Sequence, residues 1–282
     1  MSELPAWLAR ATGSLGYELV AVEPVEGTDP FSGAIRTFRL RTADGQLLKA
    51  RRAVSPASAA RAQRLAARLA EPGIPEPLAR HGSVTFERWI EGVTLDSLPL
   101  SEVLIEEAAD LLAKVHSYPG SPRWRLPQNR SVGPVRVEIS GLAARLRSAR
   151  AIDRATSEEL DAALRSGLPE RAAWGLVHAD FAASNMVLDA EGRLVSIDNE
   201  HLRWGFLDAD LGRTWARWRL PAPAERRFLE RYESSAGRTV GREALRAWRA
   251  VGALVSVAVR VRYGGRPEAS LARLRDALDS AG

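Results

Sequence analysis

The chain has 282 residues, which suits one large domain or two lobes that share a cleft, and it is long enough to bury a substantial core. It contains no cysteine, which excludes disulfides, zinc–thiolate sites and thiol nucleophiles. The formal net charge is +5, and of the 40 basic residues only Lys49 and Lys114 are lysines. Since this chain uses arginine almost everywhere, a retained lysine indicates a need for a compact ammonium group.

No segment is typical of secretion or of a membrane protein. The N-terminus lacks a basic stretch followed by an apolar run, so no signal peptide is predicted. The longest apolar run in the C-terminal half, residues 250–259, is too short to cross a bilayer and is predicted to be a buried helix. We therefore expect a cytoplasmic protein without a membrane partner.

The first part of the chain is predicted to be rich in β-structure. Apolar and polar residues alternate in four stretches, and turns or a helix separate them. These predicted strands are residues 17–25, 34–42, 46–54 and 83–90. A helix is predicted from Ser55 to Glu71, because Ser55 is a favourable N-cap and Pro56 suits the first turn. The segment EGVTL that follows the fourth strand is predicted to be a turn.

The rest of the chain is predicted to be mainly helical. Residues 101–117 place apolar side chains on one face of a helix, and further helices are expected near 137–149, at 156–167 and from about 208 onward. The simplest arrangement is two lobes, residues 1–90 and residues 91–282, with a cleft near the connecting segment FERWIEG. The helical lobe also holds four tryptophans that are expected in its core, namely Trp204, Trp215, Trp218 and Trp248.

A short hairpin in the helical part carries polar groups at its open end. The apolar runs MVLD and RLVSI flank a turn at residues 190–192. With the turn centred on residues 189–192, Asn185 would lie near Ser196, with Asp198 two residues further on. An amide oxygen and a carboxylate at that distance suit a hard cation such as Mg²⁺. Asp180, five residues before Asn185, is placed to accept a proton from a hydroxyl.

The residues around this hairpin resemble a known family. The segment HADFAASN at 178–185 and the ID at 197–198 have the spacing of the catalytic loop and metal-binding Asp of protein kinases. The surrounding sequence is more similar to the aminoglycoside phosphotransferase and choline kinase family, whose loop reads H-G-D-x-x-x-x-N. The segments FERWIEGVTL, ADLLAKVHSYP and LDADLGRTW also resemble that family. The resemblance spans nearly the whole chain and implies an α+β, two-lobed protein-kinase-like fold with a β-rich N-lobe and a mainly helical C-lobe.

The resemblance implies catalytic and structural roles in the loop. Asp180 matches the catalytic base, or the group that orients the acceptor hydroxyl. Asn185 and Asp198 match ligands of Mg²⁺. His178 matches a residue that holds the loop, and Asp210 matches an Asp that braces the loop backbone.

The resemblance also implies a binding site for ATP. Lys49 matches the lysine that binds the α- and β-phosphates, and its retention in a chain so poor in lysine agrees with that role. Ser32 lies in the loop that would cover the phosphates. The backbone from Glu87 to Trp89 would contact the adenine ring.

Two positions depart from the family pattern. Ala179 stands where the family has Gly, which restricts φ. The family pairs its lysine with a Glu on the first helix, but no acidic residue occurs between Gly45 and Ala70, where Gln63 is the candidate substitute. This departure supports an alternative, a pseudokinase that binds nucleotide or acts as a scaffold without turnover. Because all three predicted catalytic and metal-binding residues are present, an active enzyme is favoured.

The predicted function is an ATP- and Mg²⁺-dependent phosphotransferase that acts on a hydroxyl of a small molecule. From Leu202 onward the chain has sixteen Arg against nine Asp and Glu, which argues against a polycationic aminoglycoside and for a neutral or anionic acceptor. Arg203, Arg213 and Arg217 follow the predicted metal-binding strand and are candidates to line the acceptor site. A nucleic-acid-binding protein is a third hypothesis, but the arginines form no basic tract with stacking aromatics, so no nucleic-acid partner is expected.

Overall fold

The computed structural model of the chain describes residues 4–25, 36–69, 73–119 and 129–279. Ser32, which was predicted to contact the nucleotide, lies outside the described residues. The chain divides into two compact units, the first made of residues 1–99 and 184–202 and the second of residues 100–183 and 203–282. The first unit is therefore discontinuous in sequence. The lobe boundaries at residues 90 and 91 stay a prediction.

The described elements alternate early in the chain and become helical later. In chain order they are α1 (Ala6–Ser14), β1 (Leu19–Pro24), β2 (Thr37–Thr42), β3 (Leu47–Arg52), α2 (Pro56–Arg68), β4 (Pro77–His81), β5 (Val84–Arg88), β6 (Gly92–Thr94), α3 (Glu102–His116), β7 (Asn129–Ser131), α4 (Gly133–Ser148), α5 (Arg154–Gly167), β8 (Arg171–Val177), β9 (Met186–Asp189), β10 (Leu194–Ser196), β11 (Arg203–Phe206), α6 (Leu207–Arg217), α7 (Ala222–Ala236), α8 (Arg242–Arg262) and α9 (Glu268–Asp279). Short 3₁₀ turns cover residues 95–97, 183–185 and 199–201.

The first unit contains a five-stranded antiparallel sheet with strand order β1-β2-β3-β5-β4. Apolar residues from β2, β3 and β5 alternate toward one face, where they pack with Leu8 of α1 into a core that includes Leu40, Leu48 and Phe86. The register of this sheet places Lys49 of β3 directly opposite Glu87 of β5. The predicted strands and the predicted helix at α2 are confirmed, with Ser55 as the N-cap of a capping box.

A second, three-stranded sheet of the first unit has the order β10-β9-β6. The predicted hairpin is present as β9 and β10, and Gly192 at its turn has a positive φ of 77°. The segment EGVTL was predicted to be a turn, but residues 92–94 form β6 and pair with β9. Gly92 permits this pairing, because a Cβ there would run into the carbonyl oxygen of Leu188.

The second unit combines seven helices with a small sheet of order β11-β8-β7 in the part of it that the structure describes. Helices α6 and α8 cross closely, since a Cβ on Gly212 would lie 2.5 Å from the backbone of Trp248. Trp248, Trp215 and Trp218 are buried, as expected for core residues, whereas Trp204 of β11 is only half-buried. Among the described helices, including the 21-residue α8, none is both long and apolar enough to cross a membrane.

Candidate functional site

Lys49 lies at the centre of a group of charged side chains in the first unit. Its ammonium group is 2.6 Å from a carboxylate oxygen of Asp198 and 3.0 Å from one of Glu87. Arg51 extends from the same face of β3, since it is two residues further along the strand, and it contacts both Asp198 at 3.2 Å and Glu200. We call these five residues the Lys49 cluster. An acidic partner of Lys49 was expected on α2, and the structure places one, Glu87, on the neighbouring strand β5.

The pKa values within the Lys49 cluster follow from burial and from these ion pairs. Burial alone would lower the pKa of the Lys49 ammonium, but the carboxylates of Glu87, Asp198 and Glu200 outweigh it and raise that pKa. Burial favours the neutral form of Asp198, but Lys49 and Arg51 outweigh that effect and lower its pKa to about 2. Both Lys49 and Asp198 are therefore charged at neutral pH.

The hairpin brings Asn185 close to Asp198 in the ladder. Ser196 pairs with Met186, and the N–H of Ile197 donates to the carbonyl oxygen of Asn185 at 2.8 Å. Asn185 therefore lies opposite Ile197, which is next to Ser196, the residue near which Asn185 was predicted to lie. The reason is the turn, whose three residues set Asp189 against Arg193. Asp198 follows one residue beyond the paired position, closer than predicted.

The donors at this end of the hairpin suit a magnesium ion. Within the described residues no three His, Cys, Asp or Glu side chains are grouped as a metal site. Mg²⁺ requires fewer protein ligands, because it commonly uses one or two side-chain oxygens together with phosphates and water. Asn185 offers an amide oxygen from a buried side chain, and Asp198 offers an ionised carboxylate. This pair of oxygen donors fits that ion.

In the second unit, the loop that carries Asp180 is held by a buried carboxylate. Asp210 of α6 accepts hydrogen bonds from the backbone N–H groups of His178 and Ala179 at 2.8 and 2.9 Å. The N–H of Asp180 donates to Nδ1 of His178 at 3.3 Å, and His178 is fully buried. The expectations that Asp210 braces the loop backbone and that His178 is structural agree with this geometry.

A chain of buried polar groups extends from Asp210 into the helical core. Nε2 of His116 lies 3.1 Å from Asp210, and Nδ1 of His116 lies 2.7 Å from the Tyr232 hydroxyl. Arg238 donates to the oxygen of Tyr232 at 3.2 Å and forms an ion pair with Asp208 at 2.6 Å. Burial raises the pKa of Tyr232 to about 12, so its hydroxyl keeps its proton. The loop backbone is thus linked to α3, α6 and α7 by one continuous set of hydrogen bonds.

Two residues of the predicted motifs adopt a left-handed backbone conformation. Ala179 has φ of 63° and Asp198 has φ of 60°, a region that a residue with a Cβ rarely occupies. The departure from Gly at position 179 therefore has a physical cost, which the two hydrogen bonds to Asp210 offset locally. Such conformations are found mainly where the surrounding structure over-determines them, as it does in functional loops.

Asp180 is itself contacted by two arginines of α6. Arg217 forms an ion pair with its carboxylate, and Arg213 lies 3.5 Å away. These two side chains are four residues apart and therefore on one face of the helix. Two of the three arginines named as candidates from their position thus contact Asp180, and the third, Arg203, lies in β11.

Glu87 and Trp89, which were predicted to contact the nucleotide, make different contacts in the structure. The side chain of Glu87 contacts Lys49, and the N–H of Trp89 donates to the carbonyl oxygen of Leu47 at 3.0 Å. The indole ring of Trp89 lies under the guanidinium of Arg39. An adenine contact at the backbone of residues 87–89 stays a prediction, and so does the role of Ser32.

The sequence analysis missed Arg51 and Glu200 as members of this site. The signal for Arg51 was its position two residues after Lys49, which puts both on one face of a strand. Glu200 had no comparable signal, because it lies in a 3₁₀ turn whose direction follows from the left-handed residue Asp198.

Solved structures with the same fold include enzymes that transfer phosphate. The structure is similar to the macrolide 2′-phosphotransferase MphH of Brachybacterium faecium, with a TM-score of 0.67, 19% sequence identity and 99% of each chain covered. It is also similar to the choline kinase LicA of Streptococcus pneumoniae, with a TM-score of 0.66, 17% identity and coverage of 95% of this chain and 96% of that chain. LicA is also known in complex with AMP, and that structure gives a TM-score of 0.65 at 17% identity. These likenesses confirm the predicted α+β protein-kinase-like fold.

The sequence was also compared with curated proteins and with family profiles. No curated protein matched. The profile of the APH family, described as a phosphotransferase enzyme family, matches residues 28–248. Because this match covers well over half of the 282 residues, the chain belongs to the APH phosphotransferase enzyme family.

Proposed function

We propose that the protein is an Mg²⁺-dependent enzyme that transfers the γ-phosphate of ATP to a hydroxyl group of a small molecule. This acceptor is neutral or anionic. The observation that carries this proposal is the Lys49 cluster, in which the ammonium of Lys49 is buried, charged and directly paired with Asp198. The match to the phosphotransferase family supports the reaction type. The AMP complex of the similar protein LicA supports an adenine nucleotide.

The chemistry requires positioning and neutralisation of charge. The acceptor oxygen forms a bond to the γ-phosphorus while the bond from that phosphorus to the β–γ bridging oxygen breaks, and ADP leaves with the electron pair. The hydroxyl proton passes to the carboxylate of Asp180. Lys49 binds the α- and β-phosphates. Mg²⁺ held by Asn185 and Asp198 would neutralise charge on the phosphates.

The pseudokinase alternative rested on the missing acidic residue in α2. Glu87 provides a carboxylate for Lys49 from β5 instead, at 3.0 Å. If Lys49 had no acidic partner, the pseudokinase hypothesis would be favoured. Since Lys49 has such partners, this observation supports an active enzyme over a scaffold.

The proposal is tested by the hydrolysis of ATP and by the transfer of phosphate to a panel of hydroxyl compounds. For Asp180→Asn we expect a fall in the transfer rate of about 10²- to 10⁴-fold, since the variant cannot accept the hydroxyl proton. The exposed carboxylate variant Asp96→Asn serves as the control and is expected to keep the rate.

Each outcome separates one hypothesis from another. Absence of stabilisation by millimolar ATP with Mg²⁺ in a thermal unfolding experiment would contradict any nucleotide-binding function. Binding of ATP without hydrolysis or transfer would favour the pseudokinase. An unchanged rate in Asp180→Asn would show that the role assigned to Asp180 is wrong.

A further inference from the structure

The carboxylate of Asp180 is surrounded by more positive charge than one proton acceptor requires. Arg217 and Arg213 both contact it from α6. Two further arginines act on Arg217 electrostatically, namely Arg260 of α8 and Arg273 of α9. Four guanidinium groups of the second unit therefore lie in one region, where Asp180 pairs with Arg213 and Arg217 and Asp210 acts on Arg213. We call these four residues the arginine cluster.

Two residues of the arginine cluster are held in place by the packing of their helices. The guanidinium of Arg273 donates to the backbone carbonyl of Ala216, at the end of α6 that also carries Arg217. Gly252 of α8 lies against the backbone of Arg213, because a Cβ there would be 3.1 Å from the Cα of Arg213. Arg213 and Arg273 are thus placed by the scaffold, whereas Arg217 and Arg260 are exposed.

This positive charge is costly without a further anion. Burial lowers the pKa of both Arg213 and Arg217, and the neighbouring Arg273 and Arg260 lower that of Arg217 further. In the part of the chain that the structure describes, the Nε–H groups of Arg213 and Arg273 are buried without a hydrogen-bond acceptor. Unsatisfied buried donors and neighbouring like charges are both unfavourable, and a carboxylate or a phosphate beside the arginines would offset the like charges.

We propose that the acceptor of the phosphotransfer carries a carboxylate or phosphate group in addition to its reacting hydroxyl, and that the arginine cluster binds this group. The inference rests on the proposed function, since it takes Asp180 as the group that meets the hydroxyl. Guanidinium groups suit either anion because their planar donors match two oxygens at once.

The ion pair between Arg217 and Asp180 gives the anion a second effect. A carboxylate that is paired with a guanidinium is a weaker proton acceptor than one that is not. The side chain of Arg217 is 33% exposed, which leaves it room to turn toward a bound anion. When Arg217 forms an ion pair with the anionic group of the acceptor, it leaves Asp180. The carboxylate of Asp180 can then accept the proton of the acceptor's hydroxyl. A polycationic acceptor would be repelled by the same four side chains.

The test uses two sets of compounds that differ in one group. The first set is glycerol, glycerate and glycerol 3-phosphate, and the second is glucose, gluconate and glucose 6-phosphate. Kanamycin represents a polycation. Binding to the full-length protein with ADP and Mg²⁺ is measured by isothermal titration, and phosphate transfer from ATP is measured in parallel. The carboxylate and phosphate members of each set distinguish the two sources of the anion.

We expect at least one anionic compound to bind more tightly than its neutral counterpart. We expect no binding of kanamycin. Arg217→Gln is expected to weaken binding of that anion by about 10- to 100-fold while the neutral compound is little affected. The matched control is Arg226→Gln, which alters an exposed arginine of α7. This variant is expected to bind the anion as tightly as the unaltered protein does.

The inference would be overturned if no anion in the panel bound more tightly than its neutral counterpart. Equal weakening of anionic and neutral compounds by Arg217→Gln would overturn it as well, because that result indicates a purely structural arginine. Hydrolysis of ATP in the absence of an acceptor is recorded separately. If hydrolysis occurs while the anion preference fails, the proposed function stands and this inference alone is rejected.

Discussion

Lys49 is buried without being isolated, because carboxylates reach it from two separate stretches of the chain. The side chain of Lys49 is 9% exposed, and its partners Glu87 and Asp198 come from β5 and from the end of the hairpin. A buried charge is tolerated when it is paired, and loss of one partner leaves part of the desolvation uncompensated. Glu87 therefore serves both the stability of the first unit and the position of the ammonium group.

The contact between Glu87 and Lys49 is tested by the variant Glu87→Gln. We expect the free energy of unfolding to fall by about 1–3 kcal/mol, since a charged hydrogen-bond partner of a buried lysine is lost. We also expect the KM for ATP to rise more than kcat falls, because the phosphates meet a less well-fixed ammonium. Urea unfolding and steady-state kinetics measure the two effects.

The matched control for Glu87→Gln lies four residues further along the chain. Glu91 pairs with Arg39 at 3.0 Å, but its side chain is 65% exposed, so Glu91→Gln is expected to change the stability by less than about 1 kcal/mol. Equal effects of the two variants on the KM for ATP would contradict the role of Glu87.

Motif spacing was sufficient to identify Lys49, Asp180 and Asp198 as candidates, but it could not show that Glu87 contacts Lys49. That contact depends on the register of β3 against β5. The register follows from the packing of Phe86 and Leu48 in the core and from the intervening helix, and these are properties of the folded sheet. The acidic partner was expected on α2 because the resemblance to the family placed it there.

Among the elements, α6 carries the most closely linked set of functions. It presents Asp210 to the loop backbone and Arg213 and Arg217 to Asp180. The close crossing with α8 sets its position, and Gly212 and Gly252 are the residues that allow it. A helix that is packed this tightly transmits any displacement of its axis to the side chains at its face.

The prediction for this element is that Gly212→Ala destabilises the protein by about 1–3 kcal/mol, because the added methyl group would force α6 and α8 apart. Loss of phosphotransfer activity is expected to accompany it, as Asp210 and Arg213 move with the helix. Thermal unfolding and transfer assays measure both effects.

The control for Gly212→Ala is the same substitution in an uncrowded helix. A Cβ on Gly141 of α4 would meet only the side chain of Arg145, at 3.6 Å. Gly141→Ala is therefore expected to stabilise the protein by about 0.5–1 kcal/mol, since alanine is the better helix former. Similar destabilisation by both variants would show that the crossing is not the cause.

Elements with strong local signals were predictable. The capping residue Ser55 and the alternation in β2 and β3 led to correct strands and helices. Helix α1 was not predicted, since its N-cap Pro5 makes no side-chain hydrogen bond, and neither was β8, whose exposed and buried residues do not alternate. Strand β6 was not predicted either, because three residues pair only where Gly92 allows close approach to β9. Tertiary contact, and not local preference, determines these elements.

For the whole molecule, the main feature is that the first unit is built from two separate stretches of the chain. The first unit needs residues 184–202 as well as residues 1–99, because β6 pairs with β9 and the Lys49 cluster includes Asp198 and Glu200. A fragment that ends at residue 99 would leave β6 without its neighbour and Lys49 without one of its carboxylates. The chain therefore completes its first unit only after most of it has been synthesised.

Acid stability provides a prediction for the molecule as a whole. Burial would raise the pKa of Asp210, but hydrogen bonds from His116 and from the His178 backbone lower it below its usual value of about 3.9. A carboxyl group with a depressed pKa in the folded state stabilises the protein above about pH 4, and this contribution is lost as the pH falls further. We expect Asp210→Asn to be less stable at neutral pH and to lose less stability than the unaltered protein on going from about pH 5 to about pH 3.

Urea unfolding at several pH values measures this difference. Asp276→Asn, which alters an exposed carboxylate of α9, is the control and is expected to follow the unaltered protein. If Asp210→Asn lost stability in parallel with the unaltered protein over the same range, the assignment of acid sensitivity to Asp210 would be contradicted.

The Lys49 cluster has a consequence for how ligands exchange there. Its two cations and three anions already neutralise one another in large part before any nucleotide arrives. A phosphate group that approaches Lys49 must compete with Asp198, and a metal ion that approaches Asp198 must displace Lys49 or Arg51. If the nucleotide binds Lys49 and the metal ion binds Asp198 as proposed, each ligand removes the ion-pair partner of the group that binds the other. We expect binding of the two to be cooperative, with the metal-free nucleotide and the nucleotide-free metal each binding weakly.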